Sequence, residues 1–211
     1  MIEALTIPKQ KLTCINEQLN CQEAIQLLES KGLRCAPVID ATNSIYRGTI
    51  YRYHIYQHLF RYPDADLSSI PVTRFLKNTT KVVRVSDNAI RLLFVIGDLP
   101  QIAVLSEQNT FVGIIEHSSV LHFFAEAWLS HTGKFVLEIT SSGRMGELNR
   151  LTKLINRYTD IVSAMTLDET SFGTPSKALF VLPEQFDIVQ LNDLERLLQR
   201  KKYCTKHHKI K

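Results

Sequence analysis

Apolar and polar positions along the chain follow two alternating periods, and their order recurs. Residues 11–15 are short and β-prone and predict a strand. Cys21, Ala24, Ile25 and Leu28 then fall at helical spacing behind Asn20, which with Glu23 resembles a capping box, and Gly32 suits the left-handed position that closes a helix. Residues 34–40 read as a second strand, Asn43-Ser44 as a turn and 46–51 as a third strand. A helix follows to about residue 62, where Pro63 stops it.

After a link over 64–80 the order returns. Residues 81–85 read as a strand, Ser86 to Asn88 can cap a helix through Ile96, and Gly97-Asp98 stops it. Then come a strand at 101–105, a turn at Gln108-Asn109, a strand at 111–115 and a helix over 118–129. Aligning the copies sets Lys11 on Lys81, Ile15 on Val85 and Gly48 on Gly113. One such unit of about 60 residues makes a thin core, so the two are expected to pack together.

Beyond Gly133 the pattern changes. A strand at 134–140 alternates, a glycine-bearing turn follows over 141–146, and Leu148, Leu151 and Ile155 mark one helical face. Strands at 160–167 and 177–182 flank a polar loop. Leu191, Leu194 and Leu198 mark a last helix, with a short strand from Tyr203 onward. The order β-α-β-β-α-β is the ferredoxin-like arrangement. The expected class is α/β (α+β), in modules 1–63, 64–130 and 134–211.

Composition narrows the class. The chain has 211 residues, 45% hydrophobic and 22% charged, which fits a globular protein. No apolar run approaches the ~18 residues of a membrane span. The first residues lack a secretion signal, so the expected address is the cytoplasm, with no membrane insertion. Cys14, Cys21, Cys35 and Cys204 form no CxxC pair and read as reduced thiols, the first three in the core. The formal charge of +4 is concentrated in residues 200–211, which hold six Lys and Arg and no acid. That tail reads as a solvated end rather than an arm for a nucleic-acid polymer.

The repeat resembles a tandem pair of CBS domains, a Bateman module, over about residues 1–130. The residues that carry the likeness are Gly32-Leu-Arg-Cys-Ala-Pro-Val-Ile-Asp40 and Gly48-Thr-Ile50; the second copy keeps Gly113-Ile-Ile115 but has Ala103-Val-Leu-Ser106 in place of Pro-Val-Ile-Asp. Residues 134–211 look like an ACT domain, through the fold order and Ser142-Gly-Arg-Met-Gly-Glu-Leu148. The combination resembles the AcuB-like proteins and the cyclic-di-AMP-binding CBS proteins of Gram-positive bacteria.

The resemblance implies an adenine-nucleotide site between the copies. A base would pack among strand residues, here Thr13, Cys35, Ala36, Pro37 and Gly48 from the first copy and Val83, Ile102, Ala103 and Ile114 from the second. The family's ribose acid falls on His54 and Ser119, and its hydroxyl position on Tyr51 and Glu116, so neither copy keeps the ribose clamp. Lys11, Lys81, Arg34, Arg52, Arg84 and His117 remain to meet phosphates. Five of the seven tyrosines lie between Tyr46 and Tyr62, where a ring can stack on a base. A cyclic dinucleotide has no free ribose diol of the AMP kind, so cyclic-di-AMP is the expected ligand. In the ACT-like turn Ser142, Gly143, Arg144, Met145 and Gly146, the glycines are expected simply to make the turn, the alternatives being a small ligand bound at a helix N-terminus or a protomer interface.

No enzyme constellation appears: there is no P-loop, GxSxG or GxGxxG. His54 and His58 share a helical face, but no third ligand stands nearby and no metal or cofactor is expected. The reading is a non-enzymatic, ligand-responsive regulator that dimerises and signals to a protein partner. The alternative is a ligand-free scaffold that acts through dimer or partner contacts.

Overall fold

The computed structural model describes residues 1–129, 133–140, 144–167 and 176–210. They form an α/β protein of two compact units, Met1–Leu121 and His122–Lys211.

Unit 1 opens with α1 (Ile2–Leu5) and β1 (Ile7–Pro8). Its first repeat contains β2 (Ile15–Asn16), α2 (Cys21–Ser30), β3 (Cys35–Ile39), β4 (Tyr46–Tyr51) and α3 (Arg52–Arg61). The second contains β5 (Val82–Arg84), α4 (Ala89–Ile96), β6 (Gln101–Leu105), β7 (Phe111–Glu116) and the start of α5 (His117–Leu129). The capping box at the head of α2 is present, with Asn20 accepting from the Glu23 N–H (2.9 Å) and Glu23 from the Asn20 N–H (3.0 Å). In each copy a short strand runs parallel to the next, which pairs antiparallel with the third. Both copies carry a register shift at the same place, after Val38 and after Val104.

The first strand differs from the sequence expectation. Residues 11–15 do not form one; Lys9–Lys11 is a 3-10 turn closed by the Leu12 N–H on the Lys9 carbonyl (3.0 Å). The parallel strand of this copy comes later, at β2, where Ile15 pairs with Val38 of β3, and an added strand precedes it. β1 joins the second copy's sheet, Ile7 opposite Ile114 and Pro8 opposite Gly113. Leu12 and Cys14 then pack against the cluster of Ile39, Tyr46, Ala103, Phe111 and Ile114, which joins the two copies. In that cluster the Tyr46 and Phe111 rings stack at 5.7 Å. The crossing is reciprocal. In the register that sets Lys11 on Lys81, Ile7 corresponds to Lys77, and Lys77 exchanges two backbone bonds with Thr49 of the first sheet (2.8 and 2.9 Å).

Unit 2 contains β8 (Gly133–Thr140), α6 (Glu147–Ile155), β9 (Ser163–Leu167), β10 (Lys177–Pro183), α7 (Ile188–Arg200) and β11 (Thr205–Lys209). Its sheet runs β11-β8-β10-β9 with every neighbour antiparallel, the ferredoxin-like order of an ACT-like fold. Alternate residues of β8, Phe135, Leu137 and Ile139, enter a core with Leu151, Ile155, Phe180, Leu191, Leu194 and Leu198. Leu148 does not join them; it is 44% exposed, and Leu154 takes the place on that face. Residues 205–209 pair with Phe135–Ile139 of β8 as an exposed edge strand. No helix among the described residues is long and apolar enough to cross a membrane.

Candidate functional site

The end of β4 and the head of α3 carry the chemistry of unit 1. Tyr51 ends the strand and Arg52 begins the helix, so the two meet at one junction. The Arg52 N–H is held by the carbonyl of Arg34, which precedes β3 (3.0 Å). The second copy repeats the device with the His117 N–H on the Pro100 carbonyl (3.0 Å). Arg34, Tyr51, Arg52, Tyr53 and Tyr56 of the first copy and Pro100 of the second wall an open hollow of about 570 Å³. Its lining holds two guanidinium groups and no acid.

Tyr51 is fixed rather than free. Its hydroxyl accepts from the Asn78 side chain (2.7 Å), and burial, with Cys35 next in effect, pushes the phenol up to about 12. Tyr46 is buried against Thr49 (2.8 Å) and is likewise pushed up to about 12, chiefly by burial. The Tyr56 hydroxyl reaches the Glu29 carboxylate. Asn78 therefore positions the hollow from the linker, its amide on Tyr51 and its carbonyl accepting from Tyr46 (3.3 Å). Neither periodicity nor composition marked it in the sequence; only its left-handed φ of 56° does so here.

The remaining sequence-derived residues separate. His54 lies edge-on to Tyr51 and Tyr53 and lines a different hollow, of about 200 Å³, with His58, Arg61, Phe75 and Lys77. Burial, then the Lys77 charge, lowers its pKa. Ser119, its counterpart, is half-buried. Lys11 and Lys81 are both exposed, and neither lines the hollow of Arg34 and Arg52. Arg84 is committed to the loop after β6, donating to the Ser106 carbonyl (3.1 Å) and to Asn109 (2.7 Å). The His117 ring meets the Leu99 carbonyl (3.2 Å), and Glu116 is exposed.

Ala36, Val83, Ile102, Ala103 and Ile114 are buried, as are Cys35 and Pro37, and Thr13 is half-buried. Gly48 and Gly113 admit neighbouring backbone: a Cβ on Gly48 would meet the Lys77 carbonyl, and one on Gly113 the Ile7 carbonyl. In unit 2, Gly146 precedes α6 with φ 79°, and Arg144 and Met145 are exposed. Ser142 and Gly143 lie outside the described residues. Among the described residues no group of three or more His, Cys, Asp or Glu is placed to hold a metal.

Such a hollow can hold an anion. Each guanidinium can bind a phosphate through paired charge-assisted hydrogen bonds, and the tyrosine rings offer apolar faces to a flat group. It has no nucleophile paired with a base.

No family model matches the sequence, and a search of curated proteins finds no relative. Solved structures do match in fold. CbpB of Streptococcus agalactiae aligns at TM-score 0.52 and 23% identity, over 59% of this chain and 79% of its own. CbpB of Listeria monocytogenes, solved in complex with c-di-AMP, aligns at 0.53 and 20%, over 59% and 95%. A CBS domain-containing protein of unknown function from Bacillus anthracis aligns at 0.52 and 20%, over 59% and 92%. The repeated part of this chain thus has the fold of a tandem CBS pair, and an ACT-like unit follows it.

Proposed function

We propose that the protein is a non-enzymatic nucleotide sensor, with the hollow of Arg34, Tyr51 and Arg52 as its ligand site and cyclic-di-AMP as its ligand. The carrying observation is one hollow, walled from both copies, that sets two guanidinium groups beside three tyrosines with no acid in its lining. The missing ribose acids weigh against AMP and leave a cyclic dinucleotide unharmed, since its 3′ oxygens are already esterified. The complex of the Listeria protein with c-di-AMP supports the same choice. Ligand binding shifts the CBS pair between two arrangements through its differential affinity for them. The pair, in modules 1–63 and 64–130, and the ACT-like module 134–211 act in the cytoplasm as a homodimer that signals to a protein partner.

A ligand-free scaffold is the second reading, favoured by His54 and Ser119 at the ribose positions. Calorimetry with cyclic-di-AMP, AMP, ATP and NAD separates the two. Saturable heat with cyclic-di-AMP, lost in Arg34→Ala/Arg52→Ala, is expected; no heat with any of the four removes the sensor and leaves the scaffold.

A further inference from the structure

Unit 2 carries a second basic hollow, of about 540 Å³, at the C-terminal ends of α6 and α7. Arg150, Lys153, Arg200, Lys201 and Lys202 line it, with Tyr203 as its aromatic wall and buried Leu154 beneath. None of the five cations makes an ion pair among the described residues, although Arg196 pairs with Asp193 within α7 and His207 of β11 with Glu195 of α7. Five like charges converging without a counter-charge repel one another. Helix dipoles account for Lys153 and Arg200, each in a last turn, but not for the other three.

The backbone supplies a second, independent observation. α7 ends in a Schellman motif, the Tyr203 N–H on the Leu198 carbonyl (3.0 Å) and the Lys202 N–H on the Gln199 carbonyl (2.8 Å). This motif puts Lys202 in the left-handed region, φ 66°, where glycine or asparagine is favoured. The other non-glycine residues with positive φ, Asn43, Asn78 and Asn109, obey that preference. Among the described residues Lys202 alone departs from it, and it does so on the rim of the basic hollow. Strain kept at a charged position marks a functional site more readily than a solvated tail. The motif also occupies helix-end carbonyls that would otherwise repel an anion.

We propose that this hollow binds a small organic di- or triphosphate, its phosphates on the five cations and its apolar body against Tyr203. The site is separate from the one in unit 1 and does not depend on it.

The test is a titration of the full chain with inorganic triphosphate at low salt, read by amide NMR. Saturable shifts at Lys153, Lys201, Lys202 and Tyr203 are expected. Lys202→Gly should raise the unfolding midpoint by relieving the left-handed strain, yet weaken triphosphate about tenfold, the equivalent of one charge-assisted hydrogen bond. Arg200→Gln/Lys201→Gln should weaken it further. Absent shifts, or unsaturable shifts spread over lysines throughout the chain, overturn the proposal. So does a Lys202→Gly protein with a raised midpoint and unchanged affinity. Binding to phosphatidylserine vesicles or duplex DNA without any response to triphosphate overturns it as well.

Discussion

Gly113 lies directly beneath the carbonyl of Ile7: a Cβ placed on it would come within 2.1 Å of that oxygen. The same relation holds between Gly48 and the carbonyl of Lys77, at 2.9 Å. The segment that leads into each copy of the repeat therefore crosses the third strand of the other copy, and glycine is the residue that lets it approach. The two copies are tied by backbone as well as by the stacked rings of Tyr46 and Phe111. Gly48 and Gly113 serve this crossing between the two copies.

Gly113→Ala should accordingly destabilise unit 1 by about 3 kcal/mol, the upper range for overpacking against backbone that cannot give way. Gly48→Ala should cost about as much, from the close approach plus its φ of 152°. Urea denaturation measures both. Hydrogen exchange should show the Ile114 amide losing protection in the first variant. A change within ~0.5 kcal/mol of the parent for Gly113→Ala would mean that β1 does not cross there.

Asp40 should make unit 1 acid-sensitive. Its carboxylate accepts from the N–H groups of Ile45 (2.7 Å) and Ser44 (2.8 Å) and from the Thr42 hydroxyl, and these bonds hold its pKa well below the usual carboxylate range. A folded-state pKa below the unfolded one gives stability that is present above the unfolded value and lost as pH falls through it toward the folded value. Stability should therefore drop from about pH 5 downward, and Asp40→Asn should flatten that drop while lowering stability at neutral pH. The second copy closes the same turn with a hydroxyl, Ser106 accepting from the Gln108 and Thr110 N–H groups (3.2 and 3.1 Å), and adds no such dependence. Denaturant midpoints across the pH range, with equal slopes for the two proteins, would sink this account.

The thiols should divide by burial. Cys21 and Cys35 are buried and their thiols are pushed up to about 11 by burial, while Cys204 is exposed. Thiolate is the reactive form, so alkylation at pH 8 should modify Cys204 quickly and spare Cys21 and Cys35 until the chain unfolds. Mass spectrometry of the alkylated protein reads this directly. Early modification of Cys35 would show that β3 opens in the native state.

Most elements were legible because their signals are local. Asn20 with Glu23 announces α2, and the alternation of Phe135, Leu137 and Ile139 announces β8. The first strand lies at Ile15–Asn16 rather than over 11–15, because two residues are too short to show a period, and β1 at Ile7–Pro8 has its partner in the other copy, so no local period records it. The described terminal lysines are exposed, as their charge implies, and the strand expected from Tyr203 onward pairs with β8 over 205–209. In the site, Arg34, Tyr51 and Arg52 were found from the repeat and the resemblance. Pro100 and Asn78 were not, because one reaches the hollow from the second copy and the other from the linker.

The helix α6 offers the sharpest test of where sequence period and packing part. Leu148, Leu151 and Ile155 share a helical spacing, which reads as one buried face. Leu148 nevertheless sits in the first turn, before the helix has come over the sheet, and stays 44% exposed, whereas Leu151 and Ile155 are fully buried against β8, β10 and α7. Leu151→Ala removes packed methyls from a closed core and should cost about 2–5 kcal/mol. Leu148→Ala should stay within ~0.5 kcal/mol of the parent, since its side chain already meets solvent and alanine is the better helix former. Thermal or urea unfolding of the two variants decides it. Equal losses would mean that Leu148 is covered in solution, and the face would then have to be redrawn as the sequence period first drew it.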